Sequence, residues 1–149
     1  MKNIKTKFHL NITTYFFFLC AFSCGFFRQA LLIFFLVVIH ECGHVLAILL
    51  CQYSIIKIEI YPFGGITKVD KPLNSSIEKD MLISLAGVFM QLLLFGVVYF
   101  FPKWEMSSFF YLYNWTILLF NLLPIIPLDG SVFWHCFLEK FFPYVKAFW

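Results

Sequence analysis

Two histidines and a glutamate lie close together in the motif His40-Glu41-Cys42-Gly43-His44. On an α-helix, residues four positions apart share one face, so both imidazoles can bind the same metal ion. Glu41 directly follows the first histidine and can take a proton from a water molecule that the metal activates. This spacing predicts a hydrolytic metal site with Glu41 as its general base. The alternative is a hydrogen-bonded polar cluster between helices.

A catalytic zinc ion usually has three protein ligands, so the third must come from elsewhere in the chain. Most of the remaining candidates lie in segments expected to be solvated, where a surface charge is the simpler interpretation. Asp129 differs, because it follows a long uncharged segment that carries Pro124 and Pro127. These prolines interrupt regular helix and can hold Asp129 on irregular backbone at the depth of His44. The other candidates are Glu59, Asp70, Glu78, Asp80, Glu105, His135 and Glu139.

The composition predicts an integral membrane protein. Of the 149 residues, 62% are hydrophobic and 13% are charged, and 22 are phenylalanines. A soluble domain is nearer to about 45–50% apolar and about 25% charged. The formal net charge of +3 is small and dispersed along the chain, so no nucleic-acid partner is expected.

Four segments are long and apolar enough to cross a bilayer as helices: about 8–27, 29–50, 81–101 and 106–128. Basic residues favour the cytoplasmic side of a membrane. Only Arg28 and Lys103 fall on one side of these spans, which predicts a multi-pass protein of the cell membrane with a cytoplasmic amino terminus. The opposite side carries Lys2, Lys5, Lys7, Lys57, Lys68, Lys71, Lys79, Lys140 and Lys146.

The segment between the second and third spans has the pattern of a β-hairpin. Residues 56–60 alternate between apolar and polar, Pro62-Phe63-Gly64-Gly65 is typical of a turn, and residues 66–69 can return as a second strand. The predicted fold is therefore an all-α membrane protein with at least four transmembrane helices and a short cytoplasmic hairpin over about 54–69. We expect residues 1–149 to form a single domain.

The first motif and a second one, Asn121-Leu122-Leu123-Pro124-Ile125-Ile126-Pro127-Leu128-Asp129-Gly130, together resemble the site-2 proteases. These are zinc intramembrane metalloproteases that cut membrane-associated regulatory proteins. The resemblance implies that His40, His44 and Asp129 hold one Zn²⁺ per chain and that Glu41 is the general base. It also suggests that Asn121 positions the substrate or stabilises the oxyanion, whereas the alternative for Asn121 is an interhelical hydrogen bond.

The turn Pro62-Phe63-Gly64-Gly65, and the lack of room for a PDZ domain, make the resemblance strongest to the sporulation type of this family. That type processes a sigma-factor precursor in the mother-cell membrane around the forespore, and small membrane proteins hold it inactive. The expected partners are thus a membrane-associated protein substrate, small inhibitory proteins and the lipid bilayer, and a homo-oligomer is compatible with the sequence. The hairpin can hold an extended substrate by strand addition, with Gly64 and Gly65 in contact with it. The alternative is a purely structural hairpin.

The chain departs from the usual pattern of this family at a few positions. Ser131 and Val132 replace a second glycine and a residue that is often basic, and Val88 and Gln91 replace a proline and an asparagine. The further spans and the CBS domain of the sporulation type are not part of this chain. One alternative function is a silent or truncated relative that binds membrane partners or substrate without cleavage. Another is a membrane protease such as a prenyl-protein endopeptidase, whose third ligand would be Glu59 or Glu139.

Overall fold

A computed structural model of the chain describes residues 7–71, 76–100 and 105–142. These residues are mostly helical and include one three-stranded sheet. Lys2, Lys5, Lys103 and Lys146, which contribute to the predicted orientation, lie outside the described residues. The elements in chain order are β1 (Lys7–Leu10), α1 (Ile12–Ser23), α2 (Phe27–Leu50), β2 (Ser54–Tyr61), β3 (Gly64–Asp70), α3 (Ile77–Tyr99), α4 (Ser107–Asn121) and α5 (Asp129–Phe141).

The predicted hairpin is confirmed, and a third strand joins it. β2 and β3 are antiparallel, and Tyr61 lies opposite Gly64 across a two-residue turn. β1 pairs with β2 in parallel, so the strand order is β1-β2-β3. The prediction of an all-α fold with one hairpin is wrong in this respect, because residues 7–10 form a strand. On the side away from β3, the backbone N–H and C=O groups of β2 need partners, and residues 7–10 pair with them.

The first predicted span, 8–27, contains a shorter helix than expected. Asn11 ends the strand and caps α1, since its side-chain oxygen accepts a hydrogen bond from the Thr13 backbone N–H at 3.0 Å. The 12 residues of α1 rise about 18 Å, whereas a bilayer core is about 30 Å thick. Gly25 has a φ of +75° and turns the chain into α2.

The fourth predicted span, 106–128, also contains a shorter helix. α4 ends at Asn121, and residues 122–128 are irregular because Pro124 and Pro127 interrupt helical hydrogen bonding. The indole N–H of Trp134 donates to the Leu122 carbonyl at 3.3 Å, which satisfies one of the groups freed at the end of α4. The predicted irregular segment is thus confirmed, but Asp129 does not end a span and instead begins α5.

Two helices, α2 and α3, are long and apolar enough to cross a membrane. Only 22% of the most apolar window of α3 is buried within the chain, unlike the core helix of a soluble protein. Large apolar side chains therefore cover the outside of the helices, including Phe16, Leu19, Leu50, Phe89 and Leu119. This surface is what a bilayer would cover. Crossing of the membrane by four helices remains a prediction, because α1 and α4 are short.

α2 and α3 pack closely in an antiparallel pair. His44 contacts Ile83, and the ring of His40 lies over Gly87, so residue numbers rise along α2 as they fall along α3. A Cβ atom at Gly43 would lie 2.5 Å from the Ala86 carbonyl oxygen and 2.7 Å from Met90. The absence of a side chain at Gly43 thus allows the two helices to approach each other.

We predict that Gly43→Val destabilises the protein by about 1–3 kcal/mol, because the added side chain forces the two helices apart. Gly96→Val is the matched control, since no described atom lies within 4 Å of a Cβ at that position of α3. The control should change the free energy of unfolding by less than about 0.5 kcal/mol. Unfolding in detergent would measure both. Equal effects of the two substitutions would contradict the prediction.

Candidate metal centre

Three side chains from two helices converge on one point. His40 and His44 lie one turn apart on α2, and Asp129 reaches them from the first residue of α5. The Nε2 atoms of the histidines are 3.0 Å apart, and they lie 2.9 Å and 3.0 Å from Asp129 Oδ2. In the described part of the chain, these three residues form the group that could hold a metal ion.

The hydrogen bonding of His44 fits a metal ligand. Its Nδ1 atom lies 2.8 Å from the Ile83 backbone carbonyl, which can only accept, so Nδ1 carries the proton. The Nε2 atom of the neutral ring then presents a lone pair to the Asp129 carboxylate. Two lone pairs facing each other at this distance repel, unless a cation lies between them.

The spacing of the three ligand atoms also fits zinc. Ligands at about 2.0–2.2 Å from a tetrahedral zinc ion are about 3.3–3.5 Å from one another. The observed triangle, with sides of 2.9–3.0 Å, is within about half an ångström of this spacing. Small rotations of the side chains would therefore make room for the ion.

Asp129 is held by the close packing of the first turn of α5. A Cβ atom at Gly130 would lie 2.5 Å from the carbonyl oxygens of Leu122 and Leu123, so α5 rests directly on the segment that ends α4. The hydroxyl of Ser131 donates to the Leu128 carbonyl at 2.6 Å and closes the turn. The departure at Ser131 from the usual family pattern is thus accommodated locally.

Glu41 lies beside the metal centre against the hairpin. Its side chain is buried, and a Cβ atom at Gly65 would lie 2.7 Å from Glu41 Oε2. The backbone of β3 therefore packs directly on the carboxylate. Any side chain at Gly65 would displace the predicted general base.

A cleft of about 410 Å³ joins the predicted site residues. Glu41, His44 and Asp129 line it from the helices, and Gly64 and Gly65 line it from β3. Asn121 lines it as well, and its amide nitrogen donates to the Ile117 carbonyl at 3.0 Å within α4, which is not the interhelical bond considered above. His40 does not line this cleft but lies against His44 and Asp129, which do. The roles of all seven residues in catalysis or binding remain predictions.

Four of the other acidic candidates are engaged elsewhere. Neither Glu59 nor Glu139, the third ligand expected of a prenyl-protein endopeptidase, belongs to the three-residue group found among the described residues. The hydrogen bond from Lys57 lowers the pKa of Glu59. Four of the candidates form ion pairs: Glu59 with Lys57, Glu78 with Lys140, Asp80 with Lys71, and Glu105 with Arg28.

Gly87 on α3 is a site residue that the sequence analysis missed. A Cβ atom there would lie 2.5 Å from His44 Nε2 and 2.6 Å from His40 Nε2. The lack of a side chain at Gly87 thus leaves the space that a metal ion between the two rings requires. The signal in the sequence was a glycine beside an alanine in an apolar helix, which by itself predicts only close packing.

We predict that Gly87→Ala prevents metal binding, because the new methyl group would lie against both Nε2 atoms. The loss of zinc affinity should exceed the roughly 10–100-fold that is typical of changes outside the ligands. The measurement is zinc bound per chain in detergent at controlled free zinc. Gly96→Ala, on the same helix with open space around it, should bind like the wild type. Normal zinc binding by Gly87→Ala would refute this role.

Comparison with known proteins agrees with this geometry. The model of Peptidase family M50 matches residues 28–104. The chain is 29% identical over 133 residues to stage IV sporulation protein FB of Bacillus subtilis (strain 168), covering 83% of this chain and 44% of that protein. It is 32% identical over 110 residues to a putative zinc metalloprotease of Synechocystis, covering 68% of this chain and 29% of that protein. The chain spans less than half the length of these relatives.

A solved structure matches nearly the whole chain. The site-2 protease from Methanocaldococcus jannaschii aligns with a TM-score of 0.68 and 26% identity, over 95% of this chain and 71% of that chain. The family model covers more than half of this chain and includes His40, Glu41 and His44. The resemblance drawn from the two motifs is therefore confirmed. The chain belongs to peptidase family M50, the site-2 protease family.

Proposed function

We propose that this chain is a zinc-dependent intramembrane endopeptidase that cuts a membrane-associated regulatory protein. The observation that carries the proposal is the convergence of His40, His44 and Asp129, with ligand atoms 2.9–3.0 Å apart beside the buried Glu41. The family and the name of the Synechocystis relative support zinc as the metal, with one ion per chain.

The residues of the cleft can carry out peptide hydrolysis. Zinc held by His40, His44 and Asp129 would polarise the scissile carbonyl and make water nucleophilic near neutral pH. Glu41 accepts the proton of the attacking water and passes it to the leaving amine. Asn121 lines the same cleft and binds the backbone of the substrate near the scissile bond.

β3 is the element that presents the substrate. β1 covers one edge of β2, which leaves β3 as the outer strand of the described sheet on the side that lines the cleft. A transmembrane helix hides its carbonyl groups in its own hydrogen bonds, so a substrate must unwind before it is cut. An extended segment added to β3 would pass Gly65, and therefore Glu41, at contact distance.

We propose a multi-pass arrangement with α1–α4 in the bilayer and the amino terminus in the cytoplasm. Lys57 and Lys68 lie on the sheet, and Lys71 and Lys79 lie near it at the same end of α2 and α3. These cations belong on the cytoplasmic side by the positive-inside rule. The arrangement places the cleft near that side, from which water can enter.

The proposed substrate is the precursor of a sporulation sigma factor, in the mother-cell membrane around the forespore. The support is the similarity to a protein named for stage IV of sporulation. Small inhibitory membrane proteins and a homo-oligomer belong to the same proposal. The alternative of a silent relative is not favoured, because the three ligand atoms and Glu41 are all in place.

We predict that Glu41→Gln slows cleavage of a co-expressed sporulation sigma-factor precursor by about 10²–10⁴-fold, because the amide cannot accept the proton. Zinc should remain near one per chain in purified Glu41→Gln and be lost in His44→Ala. Glu59→Gln is the matched control, since Glu59 pairs with Lys57 on β2, and it should cleave normally. Unchanged cleavage by Glu41→Gln would reject the mechanism. Substrate capture without zinc or cleavage in the wild type would instead identify a silent relative.

We predict that Thr67→Pro impairs cleavage without loss of zinc. Residues next to a two-residue turn form a hydrogen-bonded pair, and such pairs alternate along the ladder, so the Thr67 N–H points away from β2. Proline removes this donor from the outer edge while the sheet stays paired. Thr67→Val keeps the N–H and should cleave normally. A Thr67→Pro variant with the wild-type rate would exclude strand addition at β3. Proline at Ile58 is a poorer test, because Ile58 is paired on both sides.

A further inference from the structure

Two amide side chains are buried completely near the metal centre. Gln91 on α3 and Asn114 on α4 have no exposed surface. Within the described part of the chain, neither Gln91 Oε1, Gln91 Nε2 nor Asn114 Oδ1 has a hydrogen-bond partner, and His40 Nδ1 has none either. Buried polar atoms in apolar surroundings are costly, and in membrane proteins they usually have a function. These atoms therefore call for a common explanation.

The antiparallel pairing of α2 and α3 brings His40 and Gln91 towards the same layer. His44 lies level with Ile83, and His40 lies level with Gly87. Gln91 is one turn after Gly87 on α3. Since the helices are antiparallel, Gln91 lies level with the turn of α2 that precedes His40. Helical side chains lean towards the amino terminus of their own helix. His40 thus leans towards the level of Gln91, and Gln91 leans back towards the level of His40.

Asn114 approaches the same residue from the third helix. Its amide nitrogen donates to the Gln91 backbone carbonyl at 3.4 Å. This contact places the Asn114 side chain beside Gln91. One turn earlier on α4, Phe110 packs against Leu36 of α2, so α2, α3 and α4 meet at this level.

The four unpartnered atoms can form two complementary pairs of one donor and one acceptor. If His40 Nε2 binds a metal ion, the proton of the neutral ring lies on Nδ1, which becomes a donor. Gln91 then supplies an acceptor, Oε1, and an NH₂ group with two N–H donors, and Asn114 supplies an acceptor, Oδ1. The His40 Nδ1–H and one N–H of Gln91 can thus each be satisfied within this set.

We propose that Gln91 is a positioning residue of the metal centre. Its carbonyl oxygen accepts the Nδ1–H of His40, directly or through one water molecule, while its amide nitrogen donates to Asn114. This bond fixes the tautomer and the orientation of the His40 ring, so that the Nε2 lone pair faces the metal. The inference rests on the proposed function for the presence of zinc, but not for the cleavage of any substrate.

With this role for Gln91, three residues at regular spacing on α3 serve the two histidines. Ile83, Gly87 and Gln91 follow one another at single-turn spacing along the helix. The Ile83 carbonyl accepts from His44, Gly87 leaves the space for the ion, and Gln91 accepts from His40. One face of α3 thus orients both histidines without supplying a ligand.

We predict that Gln91→Met lowers zinc affinity by about 10–100-fold, because it preserves the length of the side chain and removes the acceptor. Gln91→Glu keeps an acceptor oxygen at the same place and should bind zinc within about threefold of the wild type. The measurement is competition for zinc with a chelator, using the full chain in detergent. The absorption spectrum of the cobalt-substituted protein should change in Gln91→Met and not in Gln91→Glu.

Tyr53→Phe is the matched control, because it removes a buried hydroxyl that has no hydrogen-bond partner in the described structure and that lies in the loop between α2 and β2, outside the helices that meet at the metal centre. It should bind zinc like the wild type. If Gln91→Met does not fold, Asn114→Leu tests the other end of the chain of bonds and should weaken zinc binding a few-fold.

The outcomes separate this inference from the proposed function. Wild-type affinity in folded Gln91→Met, or in Asn114→Leu where that variant replaces it, would overturn the positioning role and leave the metal centre standing. Equal losses in Gln91→Met and Gln91→Glu would also overturn it, since the acceptor would then be irrelevant. Failure of the wild-type chain to bind zinc at all would overturn the proposed function, and this inference with it.

Discussion

The close contact between α2 and α3 determines the space in which the two histidines meet. Gly43 has no side chain that would separate the helices, and Gly87 has none that would fill the gap between the two imidazole rings. A single methyl group at Gly87 would lie against both Nε2 atoms. The metal centre therefore depends on the lack of a side chain at Gly87 of α3 as much as on the two histidines of α2.

The second constraint is the position of the sheet relative to Glu41. β1 occupies the outer edge of β2, so β3 is the strand that remains beside the cleft. Gly65 lets the backbone of β3 touch the carboxylate of Glu41. Under the proposed function, an extended substrate on this edge would meet Glu41 without further movement of the sheet, and Gly65 would join substrate presentation to catalysis.

Some of this arrangement could be predicted from the sequence because the signals are local. The spacing of His40 and His44 determines a shared helical face, and the turn at Pro62-Phe63 with alternating flanks determines a hairpin. Asp129 was found because prolines precede it in an apolar segment. In each case a few neighbouring residues carry the information.

The parts that were missed depend on partners distant in sequence. The strand β1 forms because residues 7–10 meet the edge of β2, which lies about 50 residues later. The alternation Lys-Phe-His-Leu is only four residues long and runs directly into an apolar segment that predicts a helix. The contact of His44 with Ile83 uses a backbone carbonyl, which every residue possesses and no sequence pattern reveals. The close approach of Gly130 to the Leu122 and Leu123 carbonyls likewise depends on how α5 packs, which no local pattern shows.

The two faces of α3 suit two different environments, lipid on one side and protein on the other. Its outer face carries large apolar side chains such as Phe89 and Leu93, which a bilayer can cover. Its inner face is formed by the buried residues Ser84, Gly87, Val88 and Gln91, which recur at intervals of three or four. Because polar side chains are costly in lipid and small ones let helices approach closely, their alignment on one face indicates that this face lies against protein. The same alignment identifies the helix that builds the site, although α3 contributes no ligand to it.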